Sequence, residues 1–443
     1  MSSDLVATDR RIEQGLAAAQ AALERGQAPV AEAELRLLET VPGTPSQQAR
    51  YALLVAETLI ASGRPREARR WLARSTEALP PAWRTRHAVA LRQTMEPPPP
   101  TAALQPTTPA VMASNQPSVV ALLPRSGRWA GAAAAIQDGM LRAYLETPPE
   151  QRARLSFPRV DESPDSAVAA AQQALAGQAL GIIGPLDKTM IDRVAARISP
   201  DVPMLALNHI DRSRPGLFQF ALAPEDEARI VARQTLELGH RNAWVIVPAD
   251  EWGNRHLTAF QDQFRANGGR IQTVTRYEPK RTDFQDVLRA GLQHAAGADM
   301  VFLAAAAPQA AALCPQLRFL GAAMLPIYAT SAINTDTLDV VARDLEGISF
   351  PDLPWVIDSA AALRGAPPAM RLQAFGIDAY RLWRKIQNDE APQGVQLNGA
   401  TGVLRSDADG RLHRTGLPWA HIAQGEIKAG LPRNASREAL MQP

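Results

Sequence analysis

The chain is poor in cysteine, in excess charge of either sign and in long apolar runs. Its single cysteine, Cys314, excludes an intrachain disulfide. The 47 basic and 45 acidic side chains give a net charge of +2, which provides no bulk attraction for nucleic acid or an anionic membrane. No apolar stretch approaches the roughly 18 residues of a membrane-spanning helix. With 46% hydrophobic residues, the composition fits a soluble globular protein.

Motifs that would indicate catalysis are also missing. No Gly-rich phosphate loop, no His-Glu-x-x-His or Cys-x-x-Cys pattern and no Gly-x-Ser-x-Gly elbow is present. Cys314 lies in the apolar stretch 310–319, which predicts a buried thiol rather than a nucleophile. One cysteine and seven scattered histidines disfavour a metal site. We therefore expect a protein that is not an enzyme and that uses no cofactor and no metal.

Residues 8–92 are predicted to be entirely helical. Apolar residues recur there at intervals of three and four, as in the run from Ile12 to Leu23. The pattern Glu-Ala-x-x-x-Leu of residues 32–37 returns at residues 67–72, a period of 35 that is close to the tetratricopeptide period. The sequence thus predicts an N-terminal all-α module, like tetratricopeptide repeats; a plain four-helix bundle is the alternative.

A proline-rich segment, residues 93–117, separates this module from the rest. It contains four consecutive prolines, Pro97–Pro100. Consecutive prolines favour extended polyproline II and cannot continue a helix. We interpret the segment as a semi-rigid linker.

From residue 118 to residue 425, short apolar runs alternate with amphipathic helical patterns. This alternation predicts parallel sheets covered by helices on both faces, in a two-lobed α/β domain that breaks near residues 218–224. The turn at 407–410 predicts a hairpin, and residues 426–443 are assigned to a tail. The predicted strands are 119–123, 155–160, 180–183, 204–207, 243–247, 271–277, 300–304 and 326–329.

Particular sequence pieces resemble a known family. The opening Val120–Gly127 with Ile136–Gly139, and the later Gly181–Pro185, are similar to type I periplasmic binding proteins. Within that superfamily, the chain from 118 to 425 more closely resembles the LpoA-type activators of penicillin-binding proteins. The pieces that carry this likeness are Leu205–Asn208, Leu217–Phe220, Pro224–Ala228, Trp252–Gly253, Pro315–Phe319, Tyr328–Ser331, Leu353–Trp355, Gly376–Tyr380, Gly399–Gly402 and Leu417–Trp419.

The resemblance implies a non-catalytic regulator that binds a bifunctional penicillin-binding protein and stimulates peptidoglycan crosslinking. It also implies a periplasmic protein associated with the outer membrane. Members of the family are anchored by a lipidated N-terminal cysteine, and this sequence shows neither a signal peptide nor such a cysteine near residue 1. Trp355, Trp383 and Trp419 are candidate docking residues because tryptophan is frequent in binding hot spots, although each could equally belong to the core.

The cleft between the predicted lobes offers an alternative function, that of a periplasmic receptor for an amino-acid-like solute. The likeness implies that a ligand carboxylate would be held by the loops 184–187 and 205–209. Asp187 in that position would repel it, so we expect no tight amino-acid pocket. Structural roles are the alternative for such residues, for example capping by Ser126 and turn formation by Asn208. The candidate cleft-lining residues are Ser126, Asp187, Asn208, Trp252 and Thr330.

Overall fold

A computed structural model describes residues 2–24, 28–36, 38, 43–61, 65–73, 79–95, 118–359, 365–388 and 394–432. The chain divides into two units, residues 1–112 and residues 113–443. Most of the predicted linker, residues 96–117, lies outside the described residues. Its first residues, 93–95, still belong to a helix of the first unit.

The described part of the first unit is all helical, which confirms the predicted class. Consecutive helices pack against each other, Ser2–Glu24 on Ala28–Arg36 and Pro45–Ala61 on Pro65–Leu72. Leu16, Leu53 and Leu54 are fully buried between them. In the second copy of the sequence repeat, Ala68 and Leu72 are buried, so the repeated positions there face the core. The helices are α1 (Ser2–Glu24), α2 (Ala28–Arg36), α3 (Pro45–Ala61), α4 (Pro65–Leu72) and α5 (Pro81–Met95).

The described residues of the second unit form two α/β lobes, which confirms the predicted two-lobed domain. The helices are α6 (Ala130–Glu146), α7 (Pro164–Ala176), α8 (Lys188–Ala195), α9 (Pro224–Glu237), α10 (Glu251–Ala266), α11 (Gln285–His294), α12 (Ala307–Leu317), α13 (Leu338–Val341), α14 (Pro354–Ile357) and α15 (Pro368–Gln387). The strands are β1 (Ser118–Ala121), β2 (Arg154–Ser156), β3 (Ala179–Ile183), β4 (Met204–Ala206), β5 (Leu217–Phe220), β6 (Asn242–Pro248), β7 (Arg270–Tyr277), β8 (Met300–Leu303), β9 (Ile327–Ala329), β10 (Ser349–Pro351), β11 (Gln396–Gly399), β12 (Gly402–Ser406), β13 (Arg411–Gly416), β14 (Trp419–Ala423) and β15 (Glu426–Ala429).

Each lobe is built on one sheet. The first lobe has the strand order β11-β12-β13-β5-β4-β3-β1-β2, and the second has β15-β14-β10-β9-β8-β6-β7. Apolar clusters lie on both faces of each sheet, as expected for strands that are buried on both sides. The chain passes between the lobes three times, at 221–223, near 352 and at 417–418.

The C-terminal strands differ from the prediction. Both sheets are mixed rather than wholly parallel, because β11 and β12 pair antiparallel in the first lobe, and β14 and β15 pair antiparallel in the second. The hairpin predicted at 407–410 is confirmed by the pairing of β12 with β13. A domain end at residue 425 is wrong, since 425 lies in the turn of a hairpin whose second strand reaches Ala429.

Candidate functional site in the cleft between two lobes

The five predicted cleft residues all follow carboxyl ends of strands or begin the next helix, where open α/β sheets place their sites. Two cavities open there. The first, of ≈ 310 Å³, is lined by Trp129, Asn208, His209 and Arg255 among others. The second, of ≈ 210 Å³, is lined by Trp252, His256, Thr330, Arg371 and Arg414 among others. Ser126 and Asp187 line neither cavity, and Ser126 is exposed.

Asp187 caps helix α8. One of its carboxylate oxygens accepts hydrogen bonds from the backbone N–H groups of Thr189 (2.9 Å) and Met190 (3.3 Å). Arg128 donates to the other oxygen at 2.9 Å. The first amide groups of a helix are a ready anion site. Here the protein's own carboxylate already occupies that site, so a ligand carboxylate would have to displace it.

Glu227 fills the corresponding role in the second lobe. It lies in the first turn of α9 and accepts hydrogen bonds from the backbone N–H of Ser331 (2.9 Å) and from its hydroxyl (3.0 Å). Arg414 approaches the same carboxylate at 3.6 Å. Ser331 begins the short helical turn that follows β9. Its backbone N–H is therefore the kind of donor that binds anions, and Glu227 already occupies it. The sequence reasoning missed Glu227, although it lies in the quoted piece Pro224–Ala228.

A buried ion pair joins the lobes beside this position. Arg371 on α15 donates to both carboxylate oxygens of Asp352, at 3.1 and 2.5 Å. It also donates to the carbonyl oxygens of Ser331 (3.1 Å) and Asn334 (2.9 Å) in the second lobe. Asp352 is fully buried in the second chain crossing and accepts a further bond from the Asn334 amide group at 2.8 Å. These contacts tie the first-lobe helix α15 to the second lobe.

A second polar group surrounds Asp226, which is 1% exposed. The backbone N–H of Arg414 donates to Asp226 at 3.0 Å, and the Arg414 guanidinium donates to the Ala223 carbonyl at 2.7 Å. The ring of His413 lies between Asp226 (3.4 Å) and Asp407 (2.9 Å). Burial alone would raise the pKa of Asp226, but His413 and Arg414 hold this pKa below its usual value.

The His413 contacts predict a pH-dependent stability. The hydrogen bond to Asp226, assisted by Asp407, raises the pKa of His413, so its stabilising contribution is complete below the ordinary histidine pKa and is lost as pH rises through the raised value. His209 acts in the opposite sense, because burial lowers its pKa. His413→Asn should therefore lower the melting temperature more at about pH 5.5 than at about pH 8.5. An equal decrease at both pH values in thermal unfolding would contradict this.

Asn208, Trp252 and Thr330 also have contacts within the protein. The Asn208 amide group donates to the Leu186 carbonyl at 3.1 Å, and its oxygen accepts from the next backbone N–H at 2.9 Å, so it shapes a turn. Trp252 packs on His256, with ring centroids 4.1 Å apart. Thr330 is 1% exposed. The cavities are thus lined by satisfied groups such as Asn208 and also by buried polar atoms that have no hydrogen-bond partner among the described residues. These atoms are Trp129 Nε1, His209 Nε2, Thr330 Oγ1 and Arg414 Nε.

Two of the three candidate docking tryptophans lie in the core. Trp383 is 0% exposed and Trp419 is 8% exposed, so neither can meet a partner without rearrangement. Trp383 lies on helix α15 and Trp419 on strand β14, and the burial of both large apolar side chains matches the core alternative. Trp355 remains partly exposed on α14, where the Arg142 guanidinium lies 4.6 Å from its ring centroid. Of the three, Trp355 alone keeps the surface position that docking requires.

Cys314 is fully buried in α12, as predicted. Burial raises the pKa of its thiol to about 12, which keeps it protonated and unreactive near neutral pH. We expect a thiol reagent such as dithionitrobenzoate to modify none of the native protein on the time scale of minutes and one thiol per chain in urea. Rapid modification without urea would contradict the burial.

The described residues contain no cluster of three or more metal-ligating side chains and no helix with the length and apolarity to cross a membrane. Two lobes joined by three chain crossings define a protein of the type I periplasmic-binding-protein class. The profile of the family described as LppC putative lipoprotein matches residues 71–425, and the chain belongs to this family. The family resemblance predicted from the sequence is thus confirmed.

Relatives and solved structures agree with this assignment. The penicillin-binding protein activator LpoA of Photobacterium profundum is 25% identical over 345 residues, 68% of this chain and 55% of that protein. The chain therefore spans about half the length of this curated relative. Full-length LpoA from Haemophilus influenzae has the same fold, with a TM-score of 0.61, 21% identity and coverage of 94% of this chain and 88% of that one.

A solute-receptor-like structure is also similar. It is described as a putative branched-chain amino acid ABC transporter from Chromobacterium violaceum and has a TM-score of 0.57 and 29% identity. The likeness covers 69% of this chain and all of the other chain.

Proposed function

We propose that the chain is a non-catalytic regulator that binds a bifunctional penicillin-binding protein and activates its synthesis and crosslinking of peptidoglycan. The observation that carries the proposal is the match, over 68% of the chain, to a curated activator of a penicillin-binding protein. The cleft supports it, because Asp187 and Glu227 occupy the backbone donors that a small anionic ligand would use. Function then depends on a surface rather than on a pocket.

A reconstituted synthesis reaction tests this proposal. The purified full chain is mixed with the detergent-solubilised bifunctional penicillin-binding protein of the same organism and with lipid II. We expect a complex by surface plasmon resonance and a higher fraction of crosslinked muropeptides than the synthase gives alone. The chain incubated with lipid II alone should yield no product. Absence of both binding and stimulation would overturn the proposal.

We also propose a periplasmic location in association with the outer membrane, because the family is described as one of lipoproteins. Membrane fractionation of the source bacterium, probed with an antibody against the chain, measures this directly. Recovery in the cytoplasmic fraction would contradict it.

A solute receptor is the second candidate, and the 29% identity to the Chromobacterium violaceum chain favours it. It predicts that a free amino acid raises the melting temperature of the wild-type chain. Under our first proposal, a panel of the common amino acids leaves the melting temperature unchanged. A strong increase of the melting temperature with one amino acid, together with failure to bind any synthase, would support the solute receptor and contradict the first proposal.

A further inference from the structure

The three chain crossings between the lobes are hydrogen-bonded to one another. The backbone N–H of Asp352, in the second crossing, donates to the carbonyl oxygen of Pro418 in the third at 3.1 Å. The Arg414 guanidinium, just before the third crossing, donates to the carbonyl oxygen of Ala223 in the first at 2.7 Å. Lobes of such a domain change their angle through φ and ψ changes in the crossing segments. Crossings that are bonded to one another leave less freedom for those changes.

A first side-chain contact joins the lobes through α15. The Arg371 guanidinium, in the first lobe, donates to the carbonyl oxygens of Ser331 and Asn334, which follow β9 of the second lobe. It also pairs with Asp352, which is fully buried in a crossing. The backbone N–H of Ala366, just before α15, donates to the side-chain oxygen of Asn334 at 3.1 Å. Arg371 therefore binds the second lobe and a crossing at the same time.

A second contact joins the lobes through α9 and β13. Asp226, in the first turn of α9 of the second lobe, accepts from the backbone N–H of Arg414 on β13 of the first lobe at 3.0 Å. The side chains of Asp226 and Arg414 are 2% and 1% exposed, and their charged atoms are 3.9 Å apart. Further along α9, Arg233 donates to the carbonyl oxygen of Thr415 at 2.8 Å. The two lobes thus share a buried pair of opposite charges.

Glu227 connects these two contacts. Its carboxylate accepts from the backbone N–H and the hydroxyl of Ser331, and Arg414 approaches it at 3.6 Å. The carbonyl oxygen of the same Ser331 accepts from Arg371. Polar contacts therefore run from β13 of the first lobe, through the second lobe, to α15 of the first lobe. We call this set the hinge network; its members are Asp226, Glu227, Ser331, Asp352, Arg371 and Arg414.

We infer that the hinge network locks the two lobes at one angle, which the second unit keeps whether or not a small molecule or a protein partner is bound. A change of angle would separate buried charges from their partners, which costs far more than separating charges at the surface. The closure by which two-lobed binding proteins respond to a ligand is then absent. A partner meets a preformed surface, which loses less conformational entropy on binding. The inference does not depend on the proposed function.

The distance between two spin labels, one on each lobe, tests the inference. Gln172→Cys on α7 and Asp262→Cys on α10 place the labels at exposed positions, while the buried Cys314 stays unlabelled. Pulsed electron–electron double resonance on the labelled full chain should give one narrow distance distribution. A panel of the common amino acids at millimolar concentration, or the detergent-solubilised synthase, should move its mean by less than about 2 Å.

Arg371→Ala in the labelled chain removes the contact through α15. The Asp352 charge that is left can then be hydrated only when the lobes move apart, so the ratio of a second lobe angle to the first should rise about 100-fold. From about 0.1% of the chains, the low end for minor states, the second population would reach about 10%, which the measurement resolves. Arg384→Ala on the same helix is the matched control and should keep the wild-type distribution, because its partner Gln151 is exposed and lies in the first lobe.

The wild-type chain by itself can overturn the inference. A broad or two-peaked distribution would do so, and so would a distance that an amino acid or the synthase shifts. An Arg371→Ala chain that folds, as thermal unfolding verifies, and keeps the single wild-type distance would show that the network does not hold the angle. If this variant does not fold, the wild-type distributions decide alone. Failure to bind any synthase would contradict the proposed function, whereas the distances with and without amino acids would still decide the inference.

Discussion

Replacing Arg371 by alanine should lower the free energy of unfolding by about 3–5 kcal/mol, the cost of removing one partner of a buried ion pair. Asp352 is fully buried, and the Arg371 side chain is only 17% exposed. The substitution also removes one hydrogen-bond donor from each of the carbonyl oxygens of Ser331 and Asn334. Urea-induced unfolding, followed by tryptophan fluorescence, measures the loss.

Arg384→Ala is the matched control. It removes the same residue type from the same helix, but its hydrogen-bond partner Gln151 is exposed, so the expected loss is about 0–1 kcal/mol. An equal decrease in the free energy of unfolding for the two variants would show that Arg371 and Asp352 do not form a buried ion pair.

The pH dependence of the Arg371→Ala variant has a definite sign. Burial raises the pKa of the Asp352 carboxyl, and Arg371 opposes that shift. Without Arg371 the folded-state pKa rises further, so the folded chain binds an extra proton at acid pH. Stability is then lost as pH rises through the interval between the unfolded and folded pKa values. The deficit relative to wild type should therefore be smaller at about pH 5 than at about pH 8.

The local pattern of the α/β domain could be predicted, but the path of the chain between its sheets could not. Apolar runs such as 243–247 and 300–304 form interior strands, because a run of about five apolar residues is short for a helix and typical of a buried strand. The strand β5 was missed, since its residues 217–220 were interpreted as the break between lobes. Whether β13 or β14 joins the first or the second sheet depends on long-range pairing, which periodicity does not encode.

Site residues were harder to predict because their partners are distant in sequence. Arg371 and Asp352 are 19 positions apart, and Glu227 and Ser331 are 104 apart. No residue near Asp378 in the sequence is an evident partner for its carboxylate. In the structure it accepts hydrogen bonds from the backbone N–H groups of Ala400 (2.8 Å) and Thr401 (2.6 Å). Two separate pieces of the family resemblance, 376–380 and 399–402, are thus joined by hydrogen bonds in the structure.

Another two of those pieces meet where α6 packs on α15. A Cβ atom on Gly376 would lie 2.0 Å from the carbonyl oxygen of Ile136, and one on Gly139 would lie 2.0 Å from that of Gln373. The helix backbones therefore touch directly, without side chains between them. The resemblance at 136–139 and 376–380 reflects this packing rather than a ligand site.

Gly376→Ala should consequently destabilise the second unit by about 3 kcal/mol, the upper end for overpacking, because the obstacle is backbone rather than a flexible side chain. Gly131→Ala on α6 is the control, since its added Cβ meets nothing within 4 Å, and it should be neutral or stabilise by up to about 1 kcal/mol. Both values come from urea titrations. Similar stabilities for the two variants would mean that the helices are not in backbone contact.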